Sequence, residues 1–297
     1  MWITALLPAL IASIYYFGIQ SLRIITLSIA FSVIFDALSN YFVPGKDPVS
    51  NWSSVLMGIL LAVLMPLNTT WWMLLIGCFI MIILGKKLFG GLGAFPVNPV
   101  LLSYAMLSVS WPARFDYTAA MIHLPWKITM IEPVRLVKTL GTSAQTSFEM
   151  QHLLMGKQVA GVANGMVLYL LIGGIFLLLI RQIRWQLPVS FLAGIVVTSW
   201  LISFFNPGGF ATPVFHLLAG SSMFAAFFLI TDYTTSPVNN VPMLIYGFLG
   251  GLIFVLIRSF SIYPDGIAFA ILLVNLFNPL LDRITPKIYG IKEIKHA

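Results

Sequence analysis

The stretch Leu140-Gly141-Thr142-Ser143-Ala144-Gln145-Thr146-Ser147 decides how this chain is organised. It lies within residues 113–158, a long polar interval in a sequence that otherwise consists of successive apolar segments. Five apolar segments precede the interval and five follow it. We therefore predict two membrane halves, residues 1–112 and residues 159–297, joined by a loop with room for chemistry outside the bilayer.

Composition places the chain among the polytopic membrane proteins. Of its 297 residues, 59% are hydrophobic and 8% are charged, whereas a soluble domain carries about 25% charged residues. Such a chain cannot cover a surface that faces water, so lipid is its main solvent. The formal charge of +7 suits basic loops beside a membrane, and we expect no nucleic-acid partner. Cys78 is the sole cysteine, which excludes disulfides and cysteine-ligated metal sites within the chain.

The ten apolar segments are predicted to be transmembrane helices of an all-α fold. They are residues 2–18, 22–42, 52–67, 71–88, 95–112, 159–181, 187–206, 214–232, 241–258 and 264–283, the first being a span and not a cleaved signal. With ten spans, both termini lie on one side of the membrane. Short segments on that side carry nine basic residues, against two on the other side. The positive-inside rule then predicts cytoplasmic termini and an external loop 113–158.

The two halves carry similar polar residues near the ends of their apolar segments. Ser53-Ser54 opens the third segment, and Ser221-Ser222 lies early in the eighth. Lys86-Lys87 lies at the end of the fourth segment, and Arg258 lies at the end of the ninth. Because five is odd, the second half enters the membrane from the opposite side, which predicts two inverted five-helix repeats. Such repeats usually place a pathway or a site at the interface between the halves.

Two acidic residues are predicted to lie at membrane depth. Asp36 falls within the second segment and Asp232 near the end of the eighth. A carboxylate at the centre of a span costs about 2.5–3.5 kcal/mol on insertion scales, so it requires a partner or a water path. We predict Asp232, Thr234 and Asp36 as candidates for an ion path, because oxygen ligands suit a sodium ion. Two alternatives stay open: Asp36 lies at the surface if its span ends early, and Asp232 with its hydroxyl neighbours caps a helix.

Gly85-Lys86-Lys87-Leu88-Phe89-Gly90-Gly91-Leu92-Gly93 leads into Pro96-Val97-Asn98-Pro99, and this run resembles the signature of a flavoprotein family. Members of that family are the D subunit of the Rnf-type ferredoxin:NAD oxidoreductase and the B subunit of the sodium-pumping NADH:quinone reductase. The runs His216 through Pro237 and Tyr263-Pro264-Asp265-Gly266 agree with the same family. The resemblance extends over residues 50–290 and is closer to the D subunit.

The resemblance implies a covalent cofactor. In that family a threonine of an external loop, in the pattern Asp-Gly-x-Ser-x-Ala-Thr, is esterified through the phosphate of FMN. Gly141, Ser143 and Thr146 match this pattern, which makes Thr146 the expected attachment site. Leu140 and Gln145 replace its aspartate and alanine, and these two departures concern recognition by the flavin transferase, not the fold. A second, noncovalent flavin such as riboflavin is implied between the spans.

The function implied by the resemblance is that of a membrane flavoprotein subunit in a redox-driven ion pump. Electrons would pass through the attached FMN and be coupled to sodium or proton transport, so the chain would be part of a translocase and not a complete enzyme. Its expected partners are the other Rnf-type subunits, including a second flavinylated subunit, in the cytoplasmic (inner) membrane. An inverted repeat also suits a channel or secondary transporter without a redox cofactor. A third alternative is a structural anchor for redox partners.

Overall fold

The computed structural model describes residues 1–42, 52–115, 133–141, 149–206, 209–263 and 265–284, and this part of the chain contains helices but no strands. Two π-helical segments, Ile80–Lys87 and Ala225–Leu229, continue α4 and α11, and Pro112–Phe115 is a 3-10 helix. The thirteen α-helices within these ranges are α1 Trp2–Phe17, α2 Ile19–Phe42, α3 Ser53–Leu64, α4 Trp71–Phe79, α5 Pro99–Ser110, α6 Pro133–Leu140, α7 Met150–Leu154, α8 Val167–Leu179, α9 Gln186–Phe205, α10 Pro213–Leu218, α11 Ser222–Phe224, α12 Asn240–Phe260 and α13 Ile267–Leu281.

Each of the ten predicted spans contains helix, from one helical segment in most spans to three in the span 214–232. Three helices, α2, α9 and α12, are both long and apolar enough to cross a membrane alone. Five others are apolar but have only 10–17 residues. The all-α membrane fold is thus confirmed, while the count of ten complete crossings stays a prediction.

The short helices arise where the backbone leaves the helix inside the protein. Helix α3 ends at Leu64 because Pro66 follows, and the residue before a proline favours extended geometry; Met65 has φ −69° and ψ 145°. Helix α8 begins at Val167, although the sixth span was predicted from residue 159. The irregular segment 158–166 before it, which consists of bends and turns, is buried. Its amide groups therefore need partners within the protein.

The buried segment 158–166 finds those partners at the end of α3. The Val162 nitrogen donates to the Met65 carbonyl at 2.9 Å, and the Ala163 nitrogen donates to the Val63 carbonyl at 3.2 Å. Gly161 permits the approach, because a Cβ there would lie 2.7 Å from the Leu64 carbonyl oxygen. These hydrogen bonds pair backbone groups at the end of α3 with backbone groups of the segment before α8. They also connect the first half to the second.

The halves share one apolar core. Within the second half, α9 and α12 approach closely because both carry glycines: a Cβ on Gly194 would lie 3.2 Å from Gly251 Cα. Small residues at such crossings are typical of helix packing in lipid. A second, smaller cluster holds the loop helix α6. The described part of the loop is therefore packed against the membrane half, and this packing positions the candidate site.

Candidate functional site

The loop helix α6 is fixed to the second half by its apolar face. Val134 and Val137 stand three residues apart on one side of the helix, and both are buried. They pack in a cluster with side chains from α7, α10 and the segments beside α10, namely Leu153, Ala211, Phe215 and Ala219. Pro133 is the first helical residue of α6, a position that proline favours because it needs no amide hydrogen there.

Lys138 anchors the other side of α6. Its ammonium group donates to the carbonyl oxygens of Ser261 and Tyr263, which follow the last residue of α12. A cation is favourable at the carbonyl end of a helix. Burial, and then the charge of Arg258, lower the pKa of Lys138 from its ordinary value. The helix thus ends at Gly141 (φ 69°) in a fixed place, whereas Ser143 and Thr146 lie outside the described residues.

A cavity of about 520 Å³, the loop cavity, opens beside α6. Two pairs of aromatic rings form part of its walls: the Tyr263 and Phe269 rings lie 4.7 Å apart, and the Tyr104 and Phe115 rings lie 5.3 Å apart. Its polar lining includes three residues of α6 and two others, namely Arg135, Lys138, Thr139, Ser108 and Asp265. The cavity therefore offers flat apolar surfaces beside a group of cations.

Asp265, one wall of the loop cavity, is also part of a buried network. Arg258 Nη2 donates to Asp265 Oδ1 at 3.2 Å, and the other carboxylate oxygen accepts from the Ser221 nitrogen at 3.0 Å and its hydroxyl at 2.5 Å. Arg258 Nη1 donates to the Ser222 hydroxyl at 3.2 Å and the His216 carbonyl at 3.1 Å. The Asp265 carboxylate therefore accepts hydrogen bonds at the start of α11, and the buried Arg258 neutralises its charge.

The first half holds a matching cluster. Lys86 Nζ donates to the hydroxyls of Ser53 and Ser54 at 3.0 and 3.1 Å, and to Asp36 at 3.1 Å. Lys87 lies 3.2 Å from the same carboxylate. Asp36 is buried, so the alternative that places it at the surface is wrong. Its carboxylate is already paired with two lysines. Its role in an ion path stays a prediction.

The burial of these clusters changes the count of basic residues on which the predicted membrane orientation rests. Lys86 and Arg258 were both counted as loop cations, yet their exposed fractions are 1% and 2%. Without them the short segments carry eight basic residues against one, from nine minus one and two minus one. The sequence did not predict the ion pair between Arg258 and Asp265, although both halves contain a Ser-Ser motif that is followed later by a cation.

Asp232 has a different environment from the other two carboxylates. It lies deep in the protein but is partly accessible, because it lines a smaller cavity of about 130 Å³, the inner cavity. Its oxygens accept from Asn98 Nδ2 at 3.4 Å, from the Thr235 hydroxyl at 3.2 Å and from the Thr234 nitrogen at 3.4 Å. Within the described ranges, no basic side chain forms an ion pair with it.

The inner cavity lies between the halves. Trp2, Ser53 and Asn98 of the first half line it together with Phe228 and Asp232 of the second. The Ser53 hydroxyl accepts from Lys86, so one wall leads to a cation and another carries a carboxylate. The structure thus brings Asp232 and Thr234 to the interface between the two halves, where a site was expected, and it leaves Asp36 in a separate cluster.

Comparisons with known proteins agree with this architecture. A family model described as the NQR2, RnfD, RnfE family matches residues 1–290. The D subunit of the ion-translocating oxidoreductase complex of Vibrio cholerae is 35% identical, over 96% of this chain and 92% of that protein. The protein of the same name from Salmonella arizonae is also 35% identical, over 96% of this chain and 92% of its own length. The D subunit of the Na(+)-translocating ferredoxin:NAD(+) oxidoreductase complex of Acetobacterium woodii is 34% identical, over 99% and 90%.

Proposed function

Because the chain belongs to the NQR2, RnfD, RnfE family, we propose that it is the D-type subunit of a redox-driven ion-translocating complex and carries electrons through FMN attached to Thr146. Its relatives are named as the D subunits of ion-translocating oxidoreductase complexes. The attachment itself rests on the match of Gly141, Ser143 and Thr146 to the family pattern.

The observation that carries the proposal is the loop cavity at the base of the tether. Thr146 lies five residues beyond Gly141, and five extended residues span at most about 17 Å. Arg135, Lys138 and Thr139 line the cavity two to six positions before Gly141. A flavin on Thr146 therefore starts within reach of this cavity.

The chemistry of the loop cavity suits FMN. Its volume of about 520 Å³ lies within the roughly 300–1,000 Å³ that is usual for small-molecule sites. Tyr263 and Phe269 offer flat rings for the isoalloxazine, and Arg135 and Lys138 offer positive charge for the phosphodiester. When bound, the flavin would supply the electron-carrying chemistry, while these residues hold and orient it.

Ion handling is proposed for Asp232. Its three hydrogen-bond contacts are all donors to the carboxylate, so they support a negative charge. A carboxylate at this depth requires a compensating cation or a proton. Asp232, with Thr234 beside it, is thus the group at which sodium or protons are proposed to be coupled to electron transfer.

A second, noncovalent flavin such as riboflavin stays a proposal without a fitted site. The inner cavity, at about 130 Å³, is smaller than the roughly 300 Å³ at which small-molecule sites usually begin. It does not fit a flavin ring as it stands. We assign no step to it.

We propose that the chain lies in the cytoplasmic (inner) membrane with both termini in the cytoplasm and loop 113–158 outside. The partners would be the other members of the complex, a second flavinylated subunit outside the membrane, and a flavin transferase that reads the loop. Cysteine-accessibility labelling tests the orientation. Label that reaches a cysteine at position 297 only from the outside would overturn it.

The test of the cofactor is a denaturing gel. The chain from a host with an active flavin transferase should fluoresce and should gain the mass of FMN less one water. Thr146→Ala should abolish both signals and Thr142→Ala should keep them, because only the first removes the matched hydroxyl. Leu140→Asp with Gln145→Ala should raise the occupancy, since it restores the family pattern. An unmodified Thr146 in this host would overturn the covalent carrier and favour the structural anchor for redox partners, or an ion-path subunit with at most a noncovalent flavin.

A further inference from the structure

The loop cavity and the inner cavity lie against the same helix, α5. Phe95, Asn98 and Val100, near the start of this helix, line the inner cavity. Tyr104, Ser108 and the residues just after its end line the loop cavity. Helix α5 is therefore a wall that the two cavities share, with one cavity towards each of its ends.

Val100 and Tyr104 bring the two cavities close together. They are four positions apart in one α-helix, so their side chains are neighbours on one face, and the rise between them is about 6 Å. Val100 borders the inner cavity and Tyr104 borders the loop cavity. Ser103 faces α4 instead, because its hydroxyl donates to the Gly77 carbonyl at 2.7 Å. On this face of α5, the side chains of Val100 and Tyr104 therefore lie between the cavities.

Helix α13 gives a second measure of this separation. Phe269 lines the loop cavity, and Asn275 follows it six positions later in the same helix. The side-chain oxygen of Asn275 accepts from the Asn98 backbone nitrogen at 3.0 Å, beside the inner cavity. Six helical residues rise by about 9 Å, whereas the hydrocarbon core of a bilayer is about 30 Å thick. The two cavities therefore leave only a thin wall between them.

Side chains, and not backbone, close this wall. Tyr104 is 5% exposed and Val100 is 1% exposed. The Tyr104 ring packs edge-to-face against the ring of Phe115 at 5.3 Å, a geometry that aromatic pairs prefer. Phe115 belongs to the 3-10 helix that follows α5. A substitution of one side chain can therefore open the wall without moving a helix.

We propose that Tyr104, together with its neighbour Val100, is the barrier that prevents water and small cations from passing between the inner cavity and the loop cavity. Asp232 lines the inner cavity, so the barrier makes it accessible from one side of the membrane only. A connection that stayed open would let ions leak past the coupled step. This inference deepens the proposed ion handling, and the importance of the barrier for coupling rests on the proposed function.

The experiment measures whether Ag⁺, a thiol-reactive monovalent cation, reaches a cysteine in the inner cavity. Thr234→Cys supplies that cysteine, because Thr234 lines the inner cavity. Cys78→Ala and Thr146→Ala are added to remove the native thiol and the proposed attachment site. Ag⁺ is applied to the full-length chain in right-side-out and in inverted membrane vesicles. The thiols that remain free are then labelled with a fluorescent maleimide in detergent.

With Tyr104 in place, Ag⁺ should block the cysteine at position 234 from the cytoplasmic side only. Tyr104→Ala should add blocking from the side of the loop, at a rate close to that from the cytoplasmic side, because the barrier is lost. Tyr104→Trp should keep the block one-sided, since a larger ring still fills the wall. Tyr263→Ala is the matched control, because it removes the same type of side chain from the loop cavity but leaves α5 unchanged.

Val100→Ala protects the test against misfolding of Tyr104→Ala. It thins the same wall from the side of the inner cavity and deletes only two methyl groups, so we expect a smaller gain of blocking from the side of the loop. One-sided blocking in both Tyr104→Ala and Val100→Ala would overturn the proposal. Blocking from both sides with Tyr104 unchanged, or equal gains in Tyr104→Ala and Tyr263→Ala, would also overturn it.

The outcome for the barrier is separate from the outcome for the cofactor. Because Thr146→Ala is present in every chain of this experiment, the blocking of the cysteine does not depend on attached FMN. An unmodified Thr146 on the denaturing gel would refute the proposed cofactor and leave the barrier intact. Blocking from both sides with Tyr104 unchanged would overturn the barrier and leave the cofactor intact.

Discussion

Each half of the molecule buries one cation against a pair of serines, but the two clusters are closed differently. In the first half, Lys86 and Lys87 share Asp36, whose side chain is 4% exposed. In the second half, Arg258 pairs with Asp265, whose side chain is 11% exposed. Asp265 also lines the loop cavity. The carboxylate of the cluster is thus sealed off in one half and forms the wall of a cavity in the other.

This difference between the two carboxylates explains why only the second cluster borders the loop cavity. A second lysine pairs with Asp36 in the first cluster, which therefore holds two cations and one carboxylate. The second cluster has a single cation, and helix α6 covers it from outside. The polar loop between the halves therefore adds the cations Arg135 and Lys138 at the end where the repeat has left a carboxylate partly open.

Arg258→Met is expected to cause the largest loss of stability. Removing one partner of a buried pair leaves an uncompensated charge, which costs about 3–5 kcal/mol. Lys86→Met should cost less, because Lys87 remains 3.2 Å from Asp36. Thermal unfolding of both variants in the same detergent measures the difference.

The double variant Arg258→Met with Asp265→Asn is the control for this pair. It removes the uncompensated carboxylate as well, so part of the lost stability should return. Equal losses in the Lys86 and Arg258 single variants would contradict the idea that a second lysine supports the first cluster.

Aromatic substitutions in the loop cavity should have an intermediate effect on the attached flavin. Phe269→Leu removes one ring next to Tyr263, and an aromatic contact contributes about 1 kcal/mol. The ratio of docked to undocked flavin should then fall about fivefold. Flavin fluorescence of the native protein should rise, because stacked flavins are quenched, while fluorescence on a denaturing gel should stay the same.

Phe79→Leu is the matched control for the cavity, because Phe79 pairs with Phe35 beside the sealed cluster of the first half. It should leave the native flavin fluorescence unchanged. An equal rise in both variants would show that the fluorescence reports general loosening of the protein and not docking in the loop cavity.

The apolar segments could be predicted from sequence because lipid selects for them residue by residue. The helix lengths could not. The late start of α8 depends on hydrogen bonds between segment 158–166 and the end of α3, and no local pattern in the sequence reveals that partner. Pro66 accounts for the end of α3, but it does not show that the backbone beyond this end is buried.

For the same reason, the sequence identified the buried carboxylates of the candidate site but not the residues that contact them. Asp232 was selected because a carboxylate at membrane depth requires a partner, yet its contact Asn98 is 134 residues away. Asp36 was selected by the same argument, and its partner Lys86 is 50 residues away. Pairings over such distances are set by how the halves pack together. The attachment of FMN to Thr146 stays a prediction, because residues 142–148 are not among those described.

Lys138→Met should have the smallest effect, because it changes the docking of one short helix. Methionine keeps the apolar stem but cannot donate to the carbonyls of Ser261 and Tyr263. If each of the two bonds contributes about 0.5 kcal/mol, the low end of the usual net range, amide exchange over residues 133–141 should speed up about fivefold. Exchange in α9 should not change, and Lys138→Arg should recover part of the protection.

The pH dependence of that docking has a defined sign. Burial and the charge of Arg258 lower the pKa of Lys138 in the docked helix, so the undocked loop binds more protons between the lowered and the ordinary pKa. Docking should therefore become more stable as the pH rises through this range. After correction for intrinsic exchange rates, protection of residues 133–141 should increase with pH in the wild type and stay constant in Lys138→Met. A constant profile in both would mean that docking leaves the pKa of Lys138 unchanged, which would contradict this prediction.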